Sequence, residues 1–86
     1  MHNKSDTATH TAREVGQAVR RSRKALGLRQ DELALAAGVS TRTVHQIEAG
    51  KPTSRLDGLT RVLEALGLRL MVGERTAIDP GFEGEK

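Results

Sequence analysis

Residues 27–52 read GLRQDELALAAGVSTRTVHQIEAGKP, and this stretch decides the fold. Its apolar residues recur at helical spacing, and glycines interrupt it at three places. A short helix is expected over about 30–37, burying Leu33, Ala34 and Ala37. Gly38 breaks it, and Val39 turns inward. Ser40 then caps a second short helix, because its hydroxyl can accept a backbone N–H of the first turn. That helix carries Val44 and Ile47 inward and stops at Gly50, with Pro52 just beyond. Small residues at Ala34 and Ala37 let the two helices approach closely. Two short helices joined by a tight glycine turn have the anatomy of a helix-turn-helix. The second helix projects the N-terminal part of its non-core side outward, with Thr41, Arg42, His45 and Gln46. All four can hydrogen-bond. Arg and Gln match the guanine and adenine edges of the major groove, so Arg42 and Gln46 lead the base-reading set and Thr41 follows. His45 has two readings, a base contact or a solvated side chain.

Working outward, residues 1–11 are polar and aperiodic and are read as a disordered arm. Thr11 and Glu14 form T-x-x-E, a capping box that would open the first helix. Val15, Val19 and Leu26 make an apolar stripe on a helix rich in arginine, which Gly27 ends. On the other side, Ser54 and Asp57 repeat a capping signature. Leu56, Leu59, Val62, Leu63 and Leu66 line the helix that follows, and Gly67 closes it. The period then changes: Leu68, Leu70 and Val72 alternate with Arg69 and Met71, which reads as a strand. A lone strand leaves its backbone groups unpaired, and no second strand candidate of similar quality exists in the chain. Pairing with the same strand of a second subunit about a two-fold axis resolves this, with Leu66, Leu68, Leu70 and Val72 in the dimer interface. The alternatives are a continuation of the preceding helix or an extended coil on the core. The expected organisation is an arm over 1–11, a DNA-binding domain over 12–67, a dimerisation strand over 68–73 and a flexible acidic tail over 74–86.

Composition bounds the rest. Eighty-six residues allow one domain with a marginal core, which dimerisation would support. Leu, Ala and Val dominate the apolar residues and Phe82 is the one aromatic, a mix that suits a helical bundle. No cysteine is present, which excludes disulfides and cysteine metal sites. No apolar run approaches the roughly 20 residues of a membrane span, and the N-terminus has no secretory core, so a cytoplasmic location is expected. The net charge of +3 is uneven. Residues 12–73 hold eleven basic and six acidic residues, net +5, and residues 74–86 hold two basic and four acidic, net −2. A basic body suits a nucleic-acid partner. An enzyme is not expected: there is no phosphate-binding glycine loop, no histidine pair at metal spacing, and no serine with a base and an orienting acid at recognisable spacing. No cofactor or metal is expected either. Phosphate contacts are assigned to Arg29, Gln30, Ser40, Thr43 and Lys51. Gln30 opens a helix whose free N–H groups favour an anion, and Arg29 and Lys51 flank the groove.

Arg23, Gly27-Leu28, Gln30, Leu33-Ala34, Gly38-Val39-Ser40, Val44, Ile47-Glu48 and Gly50-Lys51-Pro52 together resemble the Xre/Cro-type helix-turn-helix regulators. The resemblance covers about residues 12–66. It implies an all-α, lambda-repressor-like bundle of four to five helices, to which the strand read above, and the HipB-type resemblance given below, add a C-terminal β-strand pairing across a homodimer. It also implies phosphate binding by Gln30, base reading by Thr41, Arg42 and Gln46, and a structural ion pair between Arg23 and Glu48. Two positions depart from the pattern. Arg29 replaces the usual Thr, Ser or Asn cap, at about 1 kcal/mol, while offering a phosphate contact. Leu35 replaces an outward polar residue, either as an isolated exposed Leu or as part of a partner surface. The segment ALGLRLMV with its short tail further resembles the HipB-type antitoxins of type II toxin–antitoxin modules. That implies a repressor that binds its own palindromic operator and neutralises a HipA-like kinase toxin. The alternative is a free-standing Xre-family or phage-type repressor without a toxin. Phe82 is either an anchor of the tail on that partner or part of an inert segment.

Overall fold

A computed structural model describes residues 4–52, 55–71 and 73, with side chains from residue 7 onward. Its described part is helical: α1 (Lys4–Ala25), α2 (Gln30–Ala37), α3 (Thr41–Glu48) and α4 (Leu56–Ala65). α3 packs against both α1 and α2, and α2 packs against α4. The core where they meet is Val19, Leu33, Ala34, Val44, Ile47, Val62 and Leu63, with Val15, Ala37, Val39, Leu59, Leu66 and Leu68 packed around it. Each fully buried aliphatic side chain contributes about 1.5–3 kcal/mol, so these few residues decide whether the bundle holds. Among the described residues no helix is long and apolar enough to cross a membrane.

α2 and α3 are joined by Gly38, whose φ of 72° and ψ of 34° lie in the left-handed region. Its N–H and that of Val39 bond back to the carbonyls of Leu35 and Ala34, which closes α2 in one residue and swings Val39 under the core. A side chain at this φ would be strained, which is why the turn needs glycine. Gly16 answers a different need. A Cβ there would lie 2.3 Å from the Ile47 carbonyl oxygen, so α1 and α3 touch backbone to backbone at that point.

Four expectations require correction. α1 starts at Lys4, so residues 4–11 are helical rather than a disordered arm. Thr11 is consequently inside the helix and caps nothing, while Glu14 faces His10 at 3.3 Å, one turn back. No Gly or Pro interrupts 4–15, and Ala8, Thr11, Ala12 and Val15 form one wall of an apolar groove with Ile47, Pro52, Leu59 and Leu70. Leu26 falls in the turn after α1 and is 57% exposed, and Leu56 at the first turn of α4 is 66% exposed; neither belongs to the core. α4 is entered through Arg55 as N-cap, with no side-chain cap bond; Ser54 lies outside the described residues. Asp57 nevertheless accepts a local backbone bond, from Gly58 N–H at 2.8 Å.

The segment after α4 carries no strand pairing among the described residues of this single chain. Leu66 and Leu68 are half-buried against the core, and Leu68 N–H bonds to the Leu63 carbonyl at 2.8 Å. Leu70 is 47% and Met71 75% exposed. Val72 lies outside the described residues, as do residues 74–86 and with them Phe82.

Candidate nucleic-acid interface

α3 divides its eight residues cleanly. Val44 and Ile47 are buried, while Thr41, Arg42 and His45 are exposed and Gln46 is half-buried. Successive residues turn by about 100°, so positions 41, 42, 45 and 46 share the face opposite the core. The four residues assigned to base reading therefore stand together on one outward surface. Ser40 fixes where the helix begins. Its backbone is extended (φ −79°, ψ 155°) and its hydroxyl accepts the Thr43 N–H at 3.1 Å. The Ser40 and Thr43 hydroxyls also lie 2.9 Å apart and bond to each other. These two assigned phosphate contacts thus form a pair at the N-terminus of α3.

The orientation of α3 is set by a buried ion pair. Arg23 Nε and Nη2 donate to the two carboxylate oxygens of Glu48 at 2.6 and 3.0 Å. A third guanidinium nitrogen donates to the Leu28 carbonyl at 2.7 Å. One side chain of α1 therefore fastens the link to α2 and the last residue of α3 at once. The Arg23 and Glu48 side chains are only 10% and 4% exposed, and bidentate geometry of this kind is the strong form of the pair. Burial pushes the Glu48 carboxyl up, but hydrogen bonds from Arg23 and Gln30, with the Arg23 charge, outweigh it and hold the group below the ordinary carboxylate range. The hydrogen bond to Glu48 raises Arg23 against its own desolvation.

Gln30 joins this network: its Nε2 donates to Glu48 Oε1 at 3.1 Å. The two residues are 18 apart in sequence, and no local pattern announces this bond. An amide nitrogen has two hydrogens, so the bond fixes the Gln30 rotamer and leaves the second N–H for another acceptor. Arg29 is more engaged than its sequence position suggests. Its guanidinium lies 3.0 Å from Asp31 and 3.6 Å from Glu32, and its backbone N–H donates to Glu32 Oε1 at 2.8 Å. Glu32 thereby supplies one half of a capping box whose other half an arginine, having no acceptor, cannot supply. Lys51 is exposed and lies past the C-terminus of α3, beside Pro52 and Thr11 at the apolar groove, away from the Ser40–Thr43 pair. Among the described residues no three His, Cys, Asp or Glu side chains stand together as a metal site would require.

A compact helical bundle with a glycine-turned helix pair, an ion-paired scaffold beneath it and a polar outward face defines a class. The chain belongs to the helix-turn-helix family, whose model matches residues 19–71. It is also similar to y4mF of Sinorhizobium fredii (strain NBRC 101917 / NGR234), described as an uncharacterized HTH-type transcriptional regulator. The two are 44% identical over 68 residues, covering 76% of this chain and 90% of the relative.

Proposed function

We propose that the protein is a DNA-binding transcriptional regulator that acts as a dimeric repressor. The observation that carries this reading is the face of α3, where Thr41, Arg42, His45 and Gln46 stand outward on a helix whose other side is core. On this reading Arg42 and Gln46 read base edges first, with Thr41 and His45 beside them. Arg29, Gln30, Ser40, Thr43 and Lys51 hold phosphates, and Arg23 with Glu48 sets the helix angle. Two subunits joined through Leu66, Leu68, Leu70 and Val72 would present two such helices to half-sites about 34 Å apart on a palindrome. The 47% exposure of Leu70 in the single chain supports that joint. The test is titration of the protein on DNA from upstream of its own gene against random DNA, at two salt concentrations. Preference for the upstream sequence and a steep loss of affinity with salt are expected; no preference removes the operator reading.

A finer reading is that the repressor is the antitoxin of a type II toxin–antitoxin module with a HipA-like kinase toxin. It rests on the resemblance of ALGLRLMV, residues 65–72, to the HipB-type antitoxins. Co-purification with the product of the adjacent gene tests it. A neighbour without a kinase-like fold leaves the free-standing repressor.

A further inference from the structure

Beside α3 lies a second polar feature, a cleft of about 370 Å³ between that helix and the first turns of α4. Thr43 and Gln46 line it from α3, and Arg55, Asp57, Gly58 and Arg61 from the other wall. The two walls are in contact, since a Cβ on Gly58 would lie 3.6 Å from Thr43 Cγ2, an ordinary packing distance. Two guanidiniums face one carboxylate, so the cleft is net positive. Its single internal pair is weak: Arg55 Nε is 3.7 Å from Asp57 Oδ1, and the two side chains are 87% and 67% exposed, where such pairs are worth little. The Arg61 side chain has no hydrogen bond or ion pair among the described residues. One of its terminal nitrogens lies about 4.0 Å from where a Gly38 Cβ would stand, so the guanidinium reaches over the turn that opens α3.

We propose that this cleft seats a phosphate of the DNA backbone, held by Arg61 and Arg55. The proposal rests on the DNA-binding reading above and adds a contact distinct from Gln30. Glu48, to which Gln30 is bonded, lies about 140–160° around α3 from Thr43 and Gln46. The recognition helix would then sit between two phosphate grips, one on the α2 side and one on the α4 side, which fixes its rotation in the groove. Phosphate contacts of this kind set register without reading sequence, so the cleft governs affinity for all DNA and leaves discrimination to Arg42 and Gln46.

The experiment compares wild type, Arg61→Gln, Arg61→Lys and Arg42→Ala on upstream and random DNA across a salt series, with circular dichroism confirming the fold of each. A phosphate contact displaces salt cations from the duplex, so Arg61→Gln is expected to reduce the log–log salt slope by about 0.9 per bound subunit. At 0.1 M salt that corresponds to about an eightfold loss per subunit, equal for both DNAs. Arg61→Lys should recover most of the slope, whereas Arg42→Ala should lose the preference for upstream DNA with much less change in slope. An unaltered slope in Arg61→Gln, with wild type still preferring its upstream DNA, overturns the cleft proposal and leaves the DNA reading intact. Wild type binding no DNA overturns both. A melting-temperature rise with inorganic phosphate that Arg61→Gln abolishes, while the DNA slope stays unchanged, assigns the cleft to a free anion and also overturns the proposal.

Discussion

Two side chains and one missing side chain hold the site in place. Arg23 and Glu48 are nearly enclosed, so removing either leaves the other charged and unpaired. Glu48→Ala is expected to cost about 3 kcal/mol or more, read by urea denaturation at neutral pH. The acid dependence has a definite sign. The Glu48 carboxyl is held below its ordinary value in the folded chain, so its stabilisation is fully present above the unfolded value of about 4.3 and is lost as pH falls through the folded value. The stability gap between wild type and Glu48→Gln should therefore stay constant above about pH 5 and narrow below about pH 4; a gap independent of pH would contradict the assignment. Gly16 works by absence. With Ile47 O only 2.3 Å from a would-be Cβ, Gly16→Ala must push α1 off α3. The expected loss is about 1–3 kcal/mol, seen as a lowered melting temperature, although alanine is the better helix former.

At the scale of elements, α2 and α3 were legible because glycine, cap and core residues fall together at short spacing. Ser40, Val44, Ile47 and Gly50 leave α3 one register. α1 was misread because its first turns are polar and lack an internal stripe; what carries them is the groove they share with Ile47, Leu59 and Leu70, residues far away in sequence. Leu56 was misassigned for the converse reason: helical spacing placed it on the stripe, but the first turn of α4 overhangs the core and leaves it exposed. The bond from Gln30 to Glu48 and the facing of Arg61 towards Thr43 join separate helices, and no local pattern announces either. Two predictions belong here. Arg42→Ala and Gln46→Ala should each weaken operator binding by about 1–3 kcal/mol with helicity unchanged, measured by binding titration beside circular dichroism. Arg29→Ser should supply the acceptor that α2 lacks at its start and raise stability by about 1 kcal/mol, while operator affinity falls; a stability gain with no change in affinity would remove Arg29 from the DNA contacts.

For the molecule as a whole, the small core leaves apolar surface to cover. Leu70 borders the groove built by α1, α3 and α4 and is 47% exposed. On the dimeric reading proposed above, Leu70→Glu should shift the protein towards monomer in sedimentation velocity, because an unpaired charge would be buried in the joint; an unchanged profile would refute the strand joint. The two arginine-led helix entries have a consequence for how the molecule meets salt. Arg29 with Asp31 and Arg55 with Asp57 repeat one R-x-D arrangement, bonded at 3.0 Å in the first and looser at 3.7 Å in the second, so each of these cations has a carboxylate within reach. When a phosphate takes over the arginine, the carboxylate stays nearby and retains a sodium or potassium ion that would otherwise go free. The duplex should thus be gripped with less sensitivity to ionic strength than the number of arginines around it implies.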